Sequence, residues 1–219
     1  MVEAAIGIDT DQFGSFSRET DRSGSQLDAA RAKIMAGFEK LPRARVGLAS
    51  EGSFRPHPDI PFLGIGSELI LMVDRKKGIE LAAYNAGPQT NFAHAVVQDV
   101  DAAFAFGQRA GFPEHGLIVM ACHKISPSPH TMLDKNVTDA ASLETAVKKA
   151  LNLCGSAFVE TDMRANRNPT RMAAIGRATA DLVRRFHSRC PRCSHRGFDV
   201  TDRLAGLPCA CCGQPTDVI

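Results

Sequence analysis

The sequence predicts an α/β fold in which a mixed central sheet is flanked by helices, with a small zinc ribbon at the C-terminus. Apolar runs of strand length alternate with segments whose apolar residues recur every three or four positions. Two C-x2-C pairs near the C-terminus have the spacing of a four-thiolate zinc site. We therefore expect an α/β core domain over residues 1–186 and a zinc ribbon over residues 187–219.

The first half of the chain predicts one helix and three strands. An apolar stripe with helical spacing, which Ser23 or Ser25 can cap and Pro42 ends, predicts a helix over 27–41. A short buried strand over 46–49 follows. The unbroken apolar run of 68–74 predicts a strand buried on both faces, and 79–84 pairs back onto it as a hairpin.

The second half predicts three helices and two strands. The helices are expected over 99–110, over 142–151 and from 169 to about 187. Gly111 ends the first of them, and Asn168 with Pro169 begins the last. Strands are expected over 117–121 and 157–161, and the prolines at 127 and 129 predict a loop between them.

Composition and charge exclude several classes of protein. Hydrophobic content is 44%, and 26 basic against 24 acidic residues give a net charge of +2, so the global charge does not call for a nucleic-acid partner. The first residues have no basic segment followed by an apolar one, and no apolar run reaches membrane-spanning length. Seven cysteines with paired spacing favour a reducing compartment. We therefore expect a cytoplasmic protein without a membrane partner.

Four cysteines are the predicted ligands of a structural Zn²⁺ ion: Cys190, Cys193, Cys209 and Cys212. Fifteen residues separate the two C-x2-C pairs, and each pair can offer two sulfurs to a tetrahedral ion. A closed four-sulfur site leaves no position for a substrate, which makes the zinc structural. Cys211 can compete with Cys212 for the metal, and free cysteines or disulfides are the alternative.

Three carboxylates are candidate catalytic groups, namely Glu51, Glu160 and Asp162. Glu51 lies between serines and a glycine after a short apolar strand, which suits a Mg²⁺ ligand or a general base. Glu160 and Asp162 share a face if their strand continues that far, and together they could hold a divalent cation. The alternatives are a turn with a solvated Glu51 and a structural network of ion pairs around a capped helix.

Six residues are candidates for binding phosphate: Arg18, Ser53, Arg164, Asn168, Thr170 and Arg171. Asn168 is a plausible N-cap, and a helix that carries Arg171 in its first turn is a candidate anion site. Arg164 could reach the same anion as a bidentate fork. If these groups and the three carboxylates meet in one cleft, they predict a magnesium-dependent hydrolase acting on a nucleotide-like phosphoanhydride.

The alternative function is a non-catalytic binding module that contacts nucleic acid or a protein. Arg184, Arg185, Arg189, Arg192 and Arg196 form a basic segment beside the cysteines, which could meet phosphates. Basic residues near the end of a helix also complement its dipole, which makes nucleic acid the less favoured partner. A ribbon that caps the core or joins a homodimer is equally compatible with the sequence.

Several strings resemble those of a bacterial family known as a domain of unknown function. They are ASEGSF from Ala49, ETDMRA from Glu160, NPTRM from Asn168 and the C-terminal Cys-Pro-x-Cys ribbon. The resemblance covers nearly the whole chain and implies a family without an established activity. Members of that family usually carry a further N-terminal segment with a lysine, so we expect this chain to be an N-terminally short version.

The order of motifs also resembles, more faintly, the inosine/xanthosine triphosphate pyrophosphatases. An acidic loop with Glu19 and Thr20, a helix rich in Ala and Arg, and a strand that ends in Glu51-Gly52 follow that family's order. The resemblance implies magnesium-dependent cleavage of a nucleoside triphosphate to monophosphate and pyrophosphate, with Glu51 as the matching metal ligand. The phosphate-binding Thr-x-Asn-x-x-Lys loop of those enzymes is not in this sequence.

Overall fold

The computed structural model describes residues 4, 7–8, 10–14, 24–57, 60–61, 63–123, 126–200 and 206–216. The chain divides into two compact units, Met1–Leu182 and Val183–Ile219. The larger unit contains two sheets and the smaller unit contains the paired cysteines. No helix in the described part of the chain is both long enough and apolar enough to cross a membrane.

Three strands form the first sheet: β1 (Val46–Pro56), β2 (Gly64–Asp74) and β3 (Ile79–Gly87). Their order is β1-β2-β3, and both ladders are antiparallel. Helix α1 (Gln26–Lys40) covers one face of this sheet, where Ile34 and Phe38 pack with Leu69 and Leu71. A Cβ at Gly47 would lie 2.5 Å from Ile34 Cγ2, so the glycine permits this close approach of helix and strand.

Helix α1 begins with a capping box at Ser25, one of the two serines that the sequence offers as its cap. The Ser25 hydroxyl accepts from the Asp28 N–H at 3.2 Å, and the Asp28 carboxylate accepts from the Ser25 N–H at 3.0 Å. These two bonds satisfy backbone donors that the first turn of a helix cannot pair internally. The Ser25 hydroxyl also donates to the Asp28 carboxylate at 2.7 Å, and this bond, followed by the one from the Ser25 N–H, lowers the pKa of Asp28 below its ordinary value.

Four strands form the second sheet: β4 (His94–Val97), β5 (Leu117–His123), β6 (Ser126–Val137) and β7 (Ala157–Thr161). Helices α2 (Val100–Ala110) and α3 (Ala140–Cys154) pack against one face of this sheet and form a hydrophobic core with it. In this core, Leu143 and Val147 of α3 lie with Val119 and Val159 of the sheet. Aspartates cap both helices, and glycines with positive φ end them, Gly111 at 88° and Gly155 at 73°. The glycine stop at 111 confirms the sequence prediction.

The predicted single mixed sheet is wrong, because every described ladder is antiparallel and the strands form two sheets. In the second sheet the order is β4-β7-β5-β6. Strands β4 and β5, which α2 connects, run in the same direction, but β7 lies between them. The α/β character that the alternation of strands and helices predicts is confirmed, but the position of β7 between β4 and β5 leaves no parallel pair in the described sheets.

Two strand boundaries also differ from the prediction. Strand β1 continues to Pro56, so Glu51 and Ser53 lie within a strand rather than in the loop after it. The stretch with Pro127 and Pro129 is part of β6 and not a loop. Strand β6 is at the edge of its sheet, where a residue without an N–H costs no ladder hydrogen bond on the open side.

Candidate functional site

A buried ion pair between Glu68 and Arg171 joins the first sheet to helix α4 (Pro169–His187). Arg171 Nε donates to Glu68 Oε1 at 2.7 Å, and Arg171 Nη1 donates to the Met163 carbonyl at 2.5 Å. The side chain of Arg171 is 6% exposed and that of Glu68 is 1% exposed. A charge pair this deep is strongly destabilising to break, because the remaining charge has no access to water.

Gly52 provides the space for this ion pair. It is opposite Glu68 in the β1–β2 ladder, so its missing side chain would point to the same face as Glu68. A Cβ at position 52 would lie 2.7 Å from Arg171 Nη2 and 2.9 Å from Glu68 Oε1. The ASEGSF string therefore includes a glycine that the buried arginine requires.

Asn168 anchors the start of α4, as the sequence predicts for an N-cap. Its Oδ1 accepts from the Arg171 N–H at 2.9 Å. Its Nδ2 donates to Asn91 Oδ1 at 2.8 Å and to the Asp162 carbonyl at 3.1 Å. Asn168 is fully buried, and the next residue, Pro169, has no N–H to offer. Protein groups therefore occupy this helix start, where the sequence suggested an anion site.

Asp162 and Arg164 form a second ion pair beyond the end of β7. Asp162 is 1% exposed, and its carboxylate accepts from the Arg164 backbone N–H at 2.9 Å. The Arg164 guanidinium bonds both carboxylate oxygens, at 3.0 Å to Oδ1 and 2.7 Å to Oδ2. Arg164 also donates to Asn136 and to the Lys135 carbonyl. The predicted carboxylate and the predicted phosphate ligand thus contact each other.

Glu51 lies on the opposite face of the first sheet from Arg171. Its carboxylate forms an ion pair with Lys33 of α1, and it is 3% exposed. Because side chains alternate along a strand, Gly52 faces Arg171 while Glu51 and Ser53 face the other way. The structure therefore does not bring Glu51 and Arg171 to one face, and Lys33 is a partner that the sequence analysis missed.

Two further predicted residues have different positions. Glu160 is buried in β7, between His94 of β4 and Ile118 of β5 in the ladders. Strand β7 ends at Thr161, so Glu160 belongs to the second sheet and Asp162 follows it, whereas Glu51 belongs to the first sheet. Arg18 lies outside the described residues.

Two clefts of the larger unit have polar walls. A narrow one beside α4 has a free volume of about 10 Å³, about the space of one water molecule, and its lining includes Glu68, Asn85, Gln89, Thr170, Arg171 and Arg177. A groove between α1 and β1 has a volume of about 870 Å³. Among the described residues, the lining of this groove includes four cations (Lys33, Lys40, Arg43 and Arg45) and no acid, over an apolar floor that includes Ile34 and Phe38. Thr170 and Arg171 are the predicted phosphate ligands that line the narrow cleft, and none of the predicted ligands within the described part of the chain lines the groove.

The two C-x2-C pairs of the smaller unit form turns with the same hydrogen bonds. In each turn the first cysteine N–H donates to the carbonyl five residues on, and the N–H four residues on donates back to the first cysteine carbonyl. The four donor–acceptor pairs are Cys190–His195, Ser194–Cys190, Cys209–Gln214 and Gly213–Cys209, each at 2.8 Å. An isolated antiparallel bridge closes each turn, and Ser194 and Gly213 both have positive φ, at 60° and 72°.

Backbone N–H groups in both turns point at the first sulfur. The N–H groups of Cys193 and then Arg192 lower the pKa of the Cys190 thiol. The N–H groups of Cys212 and then Cys211 lower the pKa of Cys209 in the same way. In both turns the side chain of the second cysteine also donates to the first. The turns therefore favour the thiolate, which is the form that binds metal.

The structure brings the cysteines together in pairs and not as four. Among the described residues, no three His, Cys, Asp or Glu side chains lie close enough to share one metal ion. Cys211 is exposed in the second turn, where its N–H faces the Cys209 sulfur. The segment that connects the first turn to the second includes residues 201–205, which lie outside the described residues.

The basic segment of the smaller unit makes several contacts within that unit. Arg184 and Arg185 both form ion pairs with Asp199, at 2.5 and 3.3 Å, and Arg184 is the largest cause of a lowered pKa of Asp199. Arg196 lies over the Phe186 ring at 4.2 Å and donates to the Phe186 carbonyl. Part of the positive charge that could bind nucleic-acid phosphates is therefore already used in contacts within the unit.

Fold and sites together define a two-unit protein, with an α/β larger unit and a smaller unit built on paired cysteine turns. The chain belongs to the family described as Domain of unknown function (DUF6671), whose model matches residues 36–219. This confirms the predicted membership of a family of unknown function. No curated protein and no solved structure matches the chain.

Replacing Asn168 with alanine should lower the free energy of unfolding by about 2 kcal/mol. The change removes the cap of α4, which is typically worth about 1 kcal/mol, and leaves the half-buried Asn91 amide without that partner. Urea unfolding followed by circular dichroism measures the loss. Asn152→Ala on the exposed side of α3 is the control, expected within about 0.5 kcal/mol of wild type. Equal unfolding midpoints for the two variants would contradict the assigned role of Asn168.

Proposed function

We propose that the smaller unit is a zinc ribbon in which Cys190, Cys193, Cys209 and Cys212 hold one structural Zn²⁺ ion. The observation that carries this proposal is the matched pair of cysteine turns, each with two backbone N–H groups aimed at its first sulfur. Two turns of this kind supply the four thiolates that a closed zinc site uses. Zinc would supply the cross-link between the turns and perform no chemistry on a substrate.

The donor set fits zinc better than the alternatives. All seven cysteines are free in the structure, and thiolates persist in a reducing compartment, which agrees with the expected cytoplasmic location. The two cysteines of each pair already lie close together, so a metal ion would only have to bring the two turns to each other. Elemental analysis of the purified chain should find one zinc per chain, and a chain free of zinc would overturn the proposal.

We also propose that the larger unit binds a nucleotide-like anion in the groove between α1 and β1. The groove has the volume of a small-molecule site, and cations lie above its apolar floor, an arrangement that suits phosphates and a base. Two of these cations already have carboxylate partners, Lys33 with Glu51 and Arg45 with Asp74, so Lys40 and Arg43 are the main candidates to meet the phosphates. Glu51 does not line the groove, but its partner Lys33 does, so it is the predicted carboxylate to test for hydrolysis here. Any Mg²⁺ would come with the phosphate oxygens of the ligand.

Binding of inosine, xanthosine and adenosine triphosphates with Mg²⁺, measured by calorimetry, tests the groove. Arg43→Met should weaken binding roughly tenfold, since a hydrogen bond to a charged group is worth about 1.5–3 kcal/mol. Lys149→Met on α3, away from the groove lining, is the control and should bind as wild type does. Wild-type affinity in Arg43→Met would contradict the assignment. Pyrophosphate release that Glu51→Gln abolishes without loss of binding would support hydrolysis.

A further inference from the structure

We propose that Thr170 is a nucleophilic hydroxyl activated by His115, in a small phosphoryl-transfer site beside α4. Thr170 Oγ1 lies 2.9 Å from His115 Nε2, and His115 Nδ1 lies 3.2 Å from the Gly111 carbonyl oxygen. A hydroxyl, an imidazole and an acceptor that orients the imidazole form the usual geometry of an activated nucleophile. The pair is separate from the α1–β1 groove, whose lining includes neither residue.

The Gly111 carbonyl fixes which ring nitrogen carries the proton. A carbonyl oxygen can only accept, so Nδ1 of the neutral imidazole must be the N–H that donates to it. Nε2 is then the bare nitrogen and accepts the Thr170 O–H. The threonine hydroxyl is therefore polarised toward a base that can take its proton.

Two chain features hold the imidazole in this position. The His115 N–H donates to the Gly111 carbonyl at 3.0 Å, which closes a turn after α2. Gly111 leaves space for the ring, because a Cβ there would lie 2.6 Å from His115 Nδ1. Thr170, on the far side of the hydrogen bond, lies in the first turn of α4, two residues after the buried cap Asn168.

The threonine faces cations that suit a phosphoryl group. Thr170 lines the narrow cleft with Arg177 and with Arg171, whose charge is already paired with Glu68 in the same lining. Arg177 is exposed and donates to Asn85 at 3.2 Å, so its remaining N–H groups can turn to a ligand at the cleft mouth. The cleft itself has the space of about one water molecule, so the phosphoryl group would meet the half-buried Thr170 at the cleft mouth, beside the exposed Arg177.

The substrate of this site would be a phosphate ester. Thr170 Oγ1 attacks phosphorus, its proton passes to His115 Nε2, and the P–O bond to the leaving alcohol breaks. The leaving oxygen takes the bonding electron pair and then the proton from Nε2. Water then attacks phosphorus, gives a proton to Nε2, and the Oγ1–P bond breaks as that proton returns to Thr170.

Diisopropyl phosphofluoridate is the probe that tests this nucleophile directly. Oγ1 forms a bond to its phosphorus, the P–F bond breaks, and the proton and fluoride leave together. Mass spectrometry of peptides from the full chain should find the adduct on Thr170 and not on Thr179, an exposed threonine of α4 that donates to the Ile175 carbonyl. Thr170→Ser should keep the adduct, and Thr170→Val should lose it.

The rate of labelling separates activation from mere exposure. His115→Gln should slow labelling about a hundredfold, since a positioned general base contributes about 10²–10⁴-fold. Melting temperatures close to that of wild type would show that the variant is folded, and Thr170→Ser then serves as the folded, labelled reference. Equal labelling of Thr170 and Thr179, no adduct on Thr170, or an unchanged rate in folded His115→Gln would each overturn the proposal.

Discussion

Replacing Arg171 with methionine should lower the free energy of unfolding by about 3–5 kcal/mol. The change leaves Glu68 as a buried charge without its guanidinium partner, and the cost of breaking a buried ion pair is of this size. It also removes the bond from Nη1 to the Met163 carbonyl. Urea unfolding of the full chain, followed by circular dichroism, measures the loss.

Two further variants separate the charge from the packing. Arg177→Met alters the same helix at an exposed position and should cost less than about 0.5 kcal/mol. Adding Glu68→Gln to Arg171→Met should recover part of the loss, because the second change removes the buried charge that has lost its guanidinium partner. If Arg171→Met costs no more than Arg177→Met, the buried pair does not have the role assigned to it.

Chelation of zinc should unfold the smaller unit while the larger unit stays folded. Structural Zn²⁺ in comparable cysteine sites contributes about 10–16 kcal/mol of apparent binding free energy, and the smaller unit has little apolar core to replace it. In a nitrogen–proton NMR spectrum, we expect signals of the smaller unit to collapse toward unfolded positions after a chelator is added. Signals from β2 and β5 should stay dispersed.

Single cysteine variants test which sulfurs hold the ion. Cys193→Ser and Cys212→Ser should each lose zinc and reproduce the chelated spectrum. Cys211→Ser is the matched control, since this cysteine lies in the same turn but outside the repeated pattern of the two pairs. Zinc retained in Cys212→Ser and lost in Cys211→Ser would show that the predicted ligand set is wrong at this position.

Local features of the fold could be predicted from the sequence because they depend on short stretches of chain. The capping box at Ser25, the glycine stop after α2 and the cap at Asn168 all follow from side chains within a few residues of a helix end. The cysteine turns likewise depend on six consecutive residues each.

Long-range partners could not be predicted, because no local pattern specifies them. Arg171 and Glu68 are 103 positions apart, and Glu51 meets Lys33 across the face of α1. Both carboxylates therefore have cationic partners, and these partners change which ligands the carboxylates can bind. The order of strands in a sheet is likewise not specified by a local pattern: β7 lies between β4 and β5, so the expected mixed sheet is antiparallel instead.

The absorption fine structure at the zinc edge of the purified chain tests the zinc ribbon most directly. We predict four sulfur ligands at about 2.3 Å and no nitrogen or oxygen ligand, because two matched turns would each supply two thiolates. A shell with fewer than four sulfurs, or one containing nitrogen or oxygen, would contradict the four-cysteine site.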